Sequence, residues 1–180
     1  SENYIVMIKH PLSSEVESSR RQVEITLKSL EKFCAKHNYQ VICIPPNSDP
    51  GSYEMKNVVK NYSDKNWLMI SDTLPRSQFI NLMRHARVLV GNSSMGILEA
   101  PHYKLPVVNI GNRQQGRLNA GNVKFVSYNK NEIIKAVEKA SLDNEYRLKI
   151  KKLKNPYGDS SAPQKVIKAI ESVDINDRKW

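Results

Sequence analysis

The chain has 180 residues, 39% of them hydrophobic and 26% charged, a balance that suits a folded domain able to bury a core without disulfide or metal staples. That composition excludes collagen, a coiled coil and a disordered chain, and the longest apolar run, Tyr4 to Ile8, falls far short of the roughly 20 residues that cross a membrane. The 28 Lys and Arg against 18 Asp and Glu leave a net charge of +10, compatible with nucleic acid, an anionic membrane surface or an anionic small ligand.

Taken in chain order, short apolar runs alternate with helical periods. Tyr4–Ile8 reads as a buried strand, entered directly from Ser1-Glu2-Asn3, so no signal peptide is expected. A long helix is predicted from about Glu15 to His37, because Val23, Leu27, Leu30 and Cys34 recur on one helical face. Gln40–Ile44 is a second strand, Ser52–Asn61 a short helix, Trp67–Ile70 a third strand, and Gln78–His85 a helix with Phe79, Leu82 and Met83 on one side. Arg87–Val90 is a fourth strand that Gly91 ends, and Met95–His102 a helix stopped near Pro101. Val107–Ile110 and Val123–Val126 are the fifth and sixth strands, followed by a helix over Asn129–Ala140. Tyr146, Leu148, Ile150 and Leu153 interleave with Arg147, Lys149, Lys151, Lys152 and Lys154 as a short amphipathic helix with a solvated basic face. The last helix starts near Ser160-Ser161, with Pro163 in its first turn and Ala162, Val166, Ile170 and Val173 lining one face.

Strands alternating with helices, and apolar on both faces, predict an α/β fold, a Rossmann-like doubly wound parallel sheet of about six strands. Residues 1–180 are expected to form a single domain. Cys34 and Cys43 make no disulfide framework and no metal site, which points to a reducing, cytoplasmic compartment.

Ligands of open parallel sheets bind at the carboxyl ends of the strands, so the loops there carry the candidates. Gly91-Asn92-Ser93-Ser94-Met95-Gly96 joins a strand to a helix and is neither a Walker loop nor a dinucleotide fingerprint. Its small residues admit a phosphate to free N–H groups, with Ser93 and Ser94 as added donors; the alternative is a plain helix cap by either serine. Glu99 is placed to accept two ribose hydroxyls or, alternatively, to complement a helix dipole. Arg113 and Arg117 lie among glycines where a guanidinium forks onto phosphate oxygens, unless they are solvated surface charges. His10, the one histidine in a strand-end loop, is a candidate acid or base, a cation near phosphate, or a structural residue. No His/Cys/Asp cluster has zinc spacing, no Gly-x-Ser-x-Gly elbow occurs, and no acidic cluster cages magnesium, so neither metal nor cofactor is expected. No RNA-binding signature accompanies the positive charge, and a nucleic-acid partner is not expected.

Several motifs occur together: His10-Pro11; Pro46-Asn47 with Gly51-Ser52 and Glu54-Met55; Gly91-Asn92-Ser93-Ser94-x-Gly96; Gly111-x-Arg113-Gln114-x-Gly116-Arg117; Gly121-Asn122-Val123; and Asn155-Pro156-Tyr157-Gly158-Asp159. In this combination the chain resembles UDP-N-acetylglucosamine 2-epimerases of the hydrolysing, sialic-acid-pathway type, from about Tyr4 to Val173. The resemblance implies a GT-B fold of two Rossmann-like domains, of which this chain matches only the C-terminal, nucleotide-binding one. It implies that Ser93 and Ser94 hold the diphosphate, that Glu99 takes the ribose, and that Asn47, the Leu74 backbone and Arg113 complete the UDP site. His10 matches the family's catalytic histidine. The reaction implied is elimination of UDP with loss of the proton at carbon 2, then hydration to free N-acetylmannosamine. The carboxylates that handle those protons belong to the absent N-terminal half. The isolated chain is therefore expected to bind UDP or a UDP-sugar weakly and not to turn over, while the full-length enzyme is expected to form a homo-oligomer.

Asn112-Arg113-Gln114-Gln115-Gly116-Arg117 replaces the Thr-Glu-Arg-Pro-Glu stretch of non-hydrolysing forms, which favours the hydrolysing branch. Tyr53, Asn57, Asp72 and Thr73 stand where vertebrate forms bind the pathway's end product, so feedback inhibition is not expected. UDP-diacetylbacillosamine remains an alternative sugar nucleotide. The rival readings are the donor domain of another GT-B glycosyltransferase and a basic nucleic-acid-binding domain.

Overall fold

The computed structural model describes residues 3–71, 73–158 and 161–173; Ser1, Glu2, Asp72, Asp159 and Ser160, named above, lie outside them. Six strands form one sheet: β1 (Tyr4–Ile8), β2 (Gln40–Ile44), β3 (Leu68–Ile70), β4 (Val88–Gly91), β5 (Val107–Ile110) and β6 (Val123–Val126). Their order is β3-β2-β1-β4-β5-β6 and every pairing is parallel. This is the doubly wound Rossmann order, which reverses direction between β1 and β4 and opens a crevice above that pair.

The period-two alternation of β1 explains the two layers. Ile5 and Met7 face a core built with α1 (Ser19–His37), α2 (Ser52–Lys60) and α5 (Lys130–Leu142). Val6 and Ile8 face a smaller one with α3 (Arg76–His85) and α4 (Met95–Leu98). Both faces of the inner strands are covered, so they read as continuous apolar runs. In α1, Val23, Leu27, Leu30 and Cys34 are buried, as their spacing predicts, and Phe33 joins them. Burying each such large side chain contributes about 1.5–3 kcal/mol. Cys34 and Cys43 are free, buried thiols, and burial pushes both up to about 12.

Several boundaries differ from the sequence expectation. The helix expected from Glu15 begins as a 3-10 segment, Ser13–Ser18, and becomes α1 only at Ser19; Glu15 itself is non-helical. The reason is that its carboxylate accepts bonds from Gln22 and Asn112 instead of staying on a helical surface. β4 runs one residue later than expected and includes Gly91, which pairs with Ile8. Its φ of +140° and the Ile8 carbonyl oxygen, 1.9 Å from where a Cβ would stand, admit no side chain. The helix expected over Met95–His102 is two pieces, α4 and a 3-10 turn, Ala100–Tyr103. Pro101 has no N–H to continue the α ladder, and the His102 amide turns to the Glu99 carbonyl at 2.9 Å.

Asn129 caps α5, accepting from the Asn131 and Glu132 amides at 2.9 and 3.1 Å. The basic amphipathic segment is α6 (Asn144–Lys151). α7 (Ala162–Glu171) carries the expected apolar stripe, but none of its residues is buried; Val166 and Ile170 are 55% and 67% exposed. No described helix is long and apolar enough to cross a membrane.

Candidate nucleotide-binding edge

The strand ends at the switch point are tied together by one residue. Asn92, 2% exposed, follows β4. Its Oδ1 accepts from the His10 amide at 2.7 Å and its Nδ2 donates to the His10 carbonyl at 2.8 Å. This two-way bond clamps the loop after β1 to the loop after β4. The Asn92 carbonyl accepts from the Arg113 guanidinium and from the Gln114 side chain, both at 3.1 Å. Gln114 is buried, and its Oε1 accepts from Arg117 at 2.8 Å. The loops after β1, β4 and β5 thus converge on one asparagine, its side chain holding the first and its backbone carbonyl the last.

His10 is half-buried, and its Nδ1 faces the Asn47 amide at a long 3.5 Å. Asn47 is exposed and donates to Asp49 at 2.7 Å. Burial first and then the Arg113 guanidinium hold His10 below the usual imidazole range; Asn47 and Asp49 oppose them, and Lys9 adds the least. At neutral pH the ring is uncharged and able to take a proton.

Ser93 and Ser94 are half-buried beside this clamp. Ser94 occupies the cap position of α4 but makes no capping bond, and the Ser93 hydroxyl accepts weakly from the Met95 amide at 3.4 Å. The Ser93 and Ser94 amides donate in none of the hydrogen bonds among the described residues. α4 is a single turn, so its dipole is small and the side chains must supply most of any anion binding. Glu99 is not one turn into a helix, as expected, but closes α4, and its carboxylate is paired with Arg76 at 2.7 Å. Arg76 opens α3 just beyond Leu74, so the loop after β3 and Glu99 are brought together.

Sequence reasoning named Asn92 and Gln114 only within motifs, and it missed Arg76 and Lys9. Lys9 is 2% exposed, with its ammonium 2.9 Å from the Tyr128 hydroxyl and 4.6 Å above that ring. Tyr128 donates to Gln22 at 2.9 Å, Gln22 to Glu15 at 2.5 Å, and Asn112 to the other Glu15 oxygen at 3.0 Å. Burial lowers Lys9 to about 7, with Glu15 opposing and Arg113 reinforcing the shift. Among the described residues no group of three or more His, Cys, Asp or Glu side chains could hold a metal. A cavity of about 660 Å³ lined by Tyr4, Gln40, Trp67 and Leu82 lies at the opposite, amino end of the strands.

A doubly wound sheet whose polar strand-end loops meet at the switch point is the class of α/β domain that takes its ligands at that edge. Residues 1–171 match the UDP-N-acetylglucosamine 2-epimerase family, and the chain belongs to that family. It is 31% identical over 171 residues to the Legionella pneumophila UDP-N,N'-diacetylbacillosamine 2-epimerase (hydrolyzing), covering 95% of this chain and 43% of that protein. It is 33% identical over 132 residues to the Campylobacter jejuni GDP/UDP-N,N'-diacetylbacillosamine 2-epimerase (hydrolyzing), covering 72% and 33%. The S. aureus MnaA–UDP structure superposes with a TM-score of 0.73 at 18% identity, covering 94% of this chain and 44% of that one. AviGT4, a glycosyltransferase of avilamycin A biosynthesis, shares the fold less closely, with a TM-score of 0.52 at 12% identity over 94% of this chain and 51% of that one. The chain therefore spans less than half the length of these curated relatives, and it corresponds to the C-terminal half of a GT-B arrangement.

Proposed function

We propose that this chain is the UDP-binding half of a hydrolysing UDP-sugar 2-epimerase, with UDP-N-acetylglucosamine as substrate. The observation that carries the reading is the convergence of His10, Ser93, Ser94 and Arg113 around Asn92 at the switch point of a chain in this family. In it, the serine hydroxyls and the Ser93 and Ser94 amides donate to the diphosphate, while Arg113 supplies the positive charge. Glu99 accepts the ribose hydroxyls, and Asn47 and the Leu74 backbone border the nucleotide. Uncharged His10 is suited to exchange a proton as UDP departs, rather than to act as a fixed cation.

The reaction eliminates UDP across carbons 1 and 2, with the carbon 2 proton leaving to a base, and then adds water to give the free 2-epimeric sugar. The further acid and base are expected from a second half of the protein, so the 180-residue chain binds nucleotide but does not turn over. UDP-N,N'-diacetylbacillosamine is the second substrate to test, because the Legionella and Campylobacter relatives carry that activity in their names.

The test is steady-state release of UDP and of the 2-epimeric sugar by the protein carrying both halves. His10→Ala is expected to lower kcat at least about a hundredfold, in line with the loss of a general acid–base group, while the fold stays intact by circular dichroism. Turnover near that of the unmodified enzyme would remove His10 from the chemistry.

A further inference from the structure

The pairing of Glu99 with Arg76 is not accounted for by the site as described, and the inference below rests on the ribose role proposed for Glu99. The Glu99 backbone is fixed on both sides: its amide donates to the Met95 carbonyl and its carbonyl accepts from His102, each at 2.9 Å. The side chain is not fixed by packing, because it is 37% exposed. A glutamate on such a stem samples many rotamers, and a ligand that needs one of them must order it at its own expense. Arg76 removes that freedom. Its Nη2 donates to Glu99 Oε2 at 2.7 Å, from the first residue of α3, while its guanidinium lies 5.9 Å from the Phe79 ring centre. An ionised carboxylate offers about four acceptor positions. Arg76 occupies one of them, and those on Oε1 remain for the two adjacent hydroxyls of a ribose.

We infer that Arg76 is a positioning residue that pre-orients Glu99 for the 2′,3′-diol of a ribonucleotide, and thereby sets the preference of this edge for ribose over deoxyribose. Arg76 itself contacts neither base nor phosphate in this arrangement. As an exposed ion pair it adds little to the stability of the fold, so its effect falls on ligand selection. The Arg76 and Glu99 side chains lie on different elements, and their bond ties the loop that bears Leu74 to the segment that bears the serines.

The experiment is calorimetric titration of the 180-residue chain with UDP and with 2′-deoxy-UDP, for the unmodified chain, Arg76→Ala, Glu99→Gln and the double variant. The unmodified chain is expected to prefer UDP. Arg76→Ala is expected to weaken UDP roughly three- to tenfold, the range for ordering one long side chain, and to change 2′-deoxy-UDP less than about twofold. In the Glu99→Gln background, Arg76→Ala is expected to change neither ligand further. Equal weakening of both ligands by Arg76→Ala would reduce the residue to a support of its loop and overturn the inference. Unchanged or tighter UDP binding would show that the pair competes with the ribose, which overturns it as well. An unmodified chain that binds UDP and 2′-deoxy-UDP alike removes the ribose role of Glu99, and the inference with it, while leaving the diphosphate site standing. Failure to bind either nucleotide overturns the UDP site itself.

Discussion

Lys9, 2% exposed, sits where an ammonium is costly. A buried ammonium must be compensated, and here one tyrosine hydroxyl and the face of its ring do so. The folded-state value near 7 lies far below the 10.5 of an ordinary lysine. Between those two values the unfolded chain holds a proton that the folded chain has released, so stability rises with pH across that window. It falls as pH drops from 10.5 towards 7 and levels off below. Lys9→Met fills the same space without the charge, and Tyr128 keeps its bond to Gln22. The variant is expected to be more stable than the unmodified chain by about 1–4 kcal/mol at pH 6, with the gain shrinking towards pH 10. Urea denaturation at both pH values checks this; a variant less stable at pH 6 would mean that the ammonium is well compensated in place. The sequence did not reveal this residue. Period two along β1 puts Lys9 on the same face as Ile5 and Met7, but its partner, Tyr128, is 119 residues away. The placement of His10 and the serine loop at strand ends was legible, because in a parallel sheet the loops past the carboxyl ends of the strands form one edge.

At the level of elements, strands were easier to place than helix starts. β5 and β6 occupy the predicted residues, since three apolar residues in four, between turn residues, leave little choice. The start of α1 and the division of the segment after Ser94 were not legible. Each turns on one local hydrogen-bonding group: the Glu15 carboxylate accepts from Gln22 and Asn112, and Pro101 has no N–H to donate. α7 is the converse case. Its helical period was read correctly, but period alone does not tell a buried stripe from an exposed one. Ile170→Lys is therefore expected to change the stability of this chain by less than about 0.5 kcal/mol, whereas Leu30→Ala, in a fully buried position of α1, should cost about 2–5 kcal/mol. Chemical denaturation of the two variants side by side tests the contrast. A large loss from Ile170→Lys would mean that α7 is packed in solution.

Over the whole molecule, the candidate site is an edge rather than an enclosed pocket. Its residues come from the ends of β1, β2, β3, β4 and β5 and line one rim of the sheet, as the doubly wound order requires. The sequence made that rim legible through loop composition, and family membership accounts for the motifs found there. The charge of +10 adds a general attraction for anions that salt weakens; Arg113, held by the Asn92 carbonyl, adds a directed one. These two contributions separate by experiment. The most direct measurement is titration of the 180-residue chain with UDP, with GDP and a single-stranded RNA as controls, at low and high salt, repeated with Arg113→Ala. The expected result is selective UDP binding that persists at high salt and weakens at least about tenfold in the variant, as for loss of a charged hydrogen bond to phosphate. RNA binding that collapses with salt, with no preference for UDP and no effect of Arg113→Ala, would contradict a UDP site on this edge and return the positive charge to a nucleic-acid role.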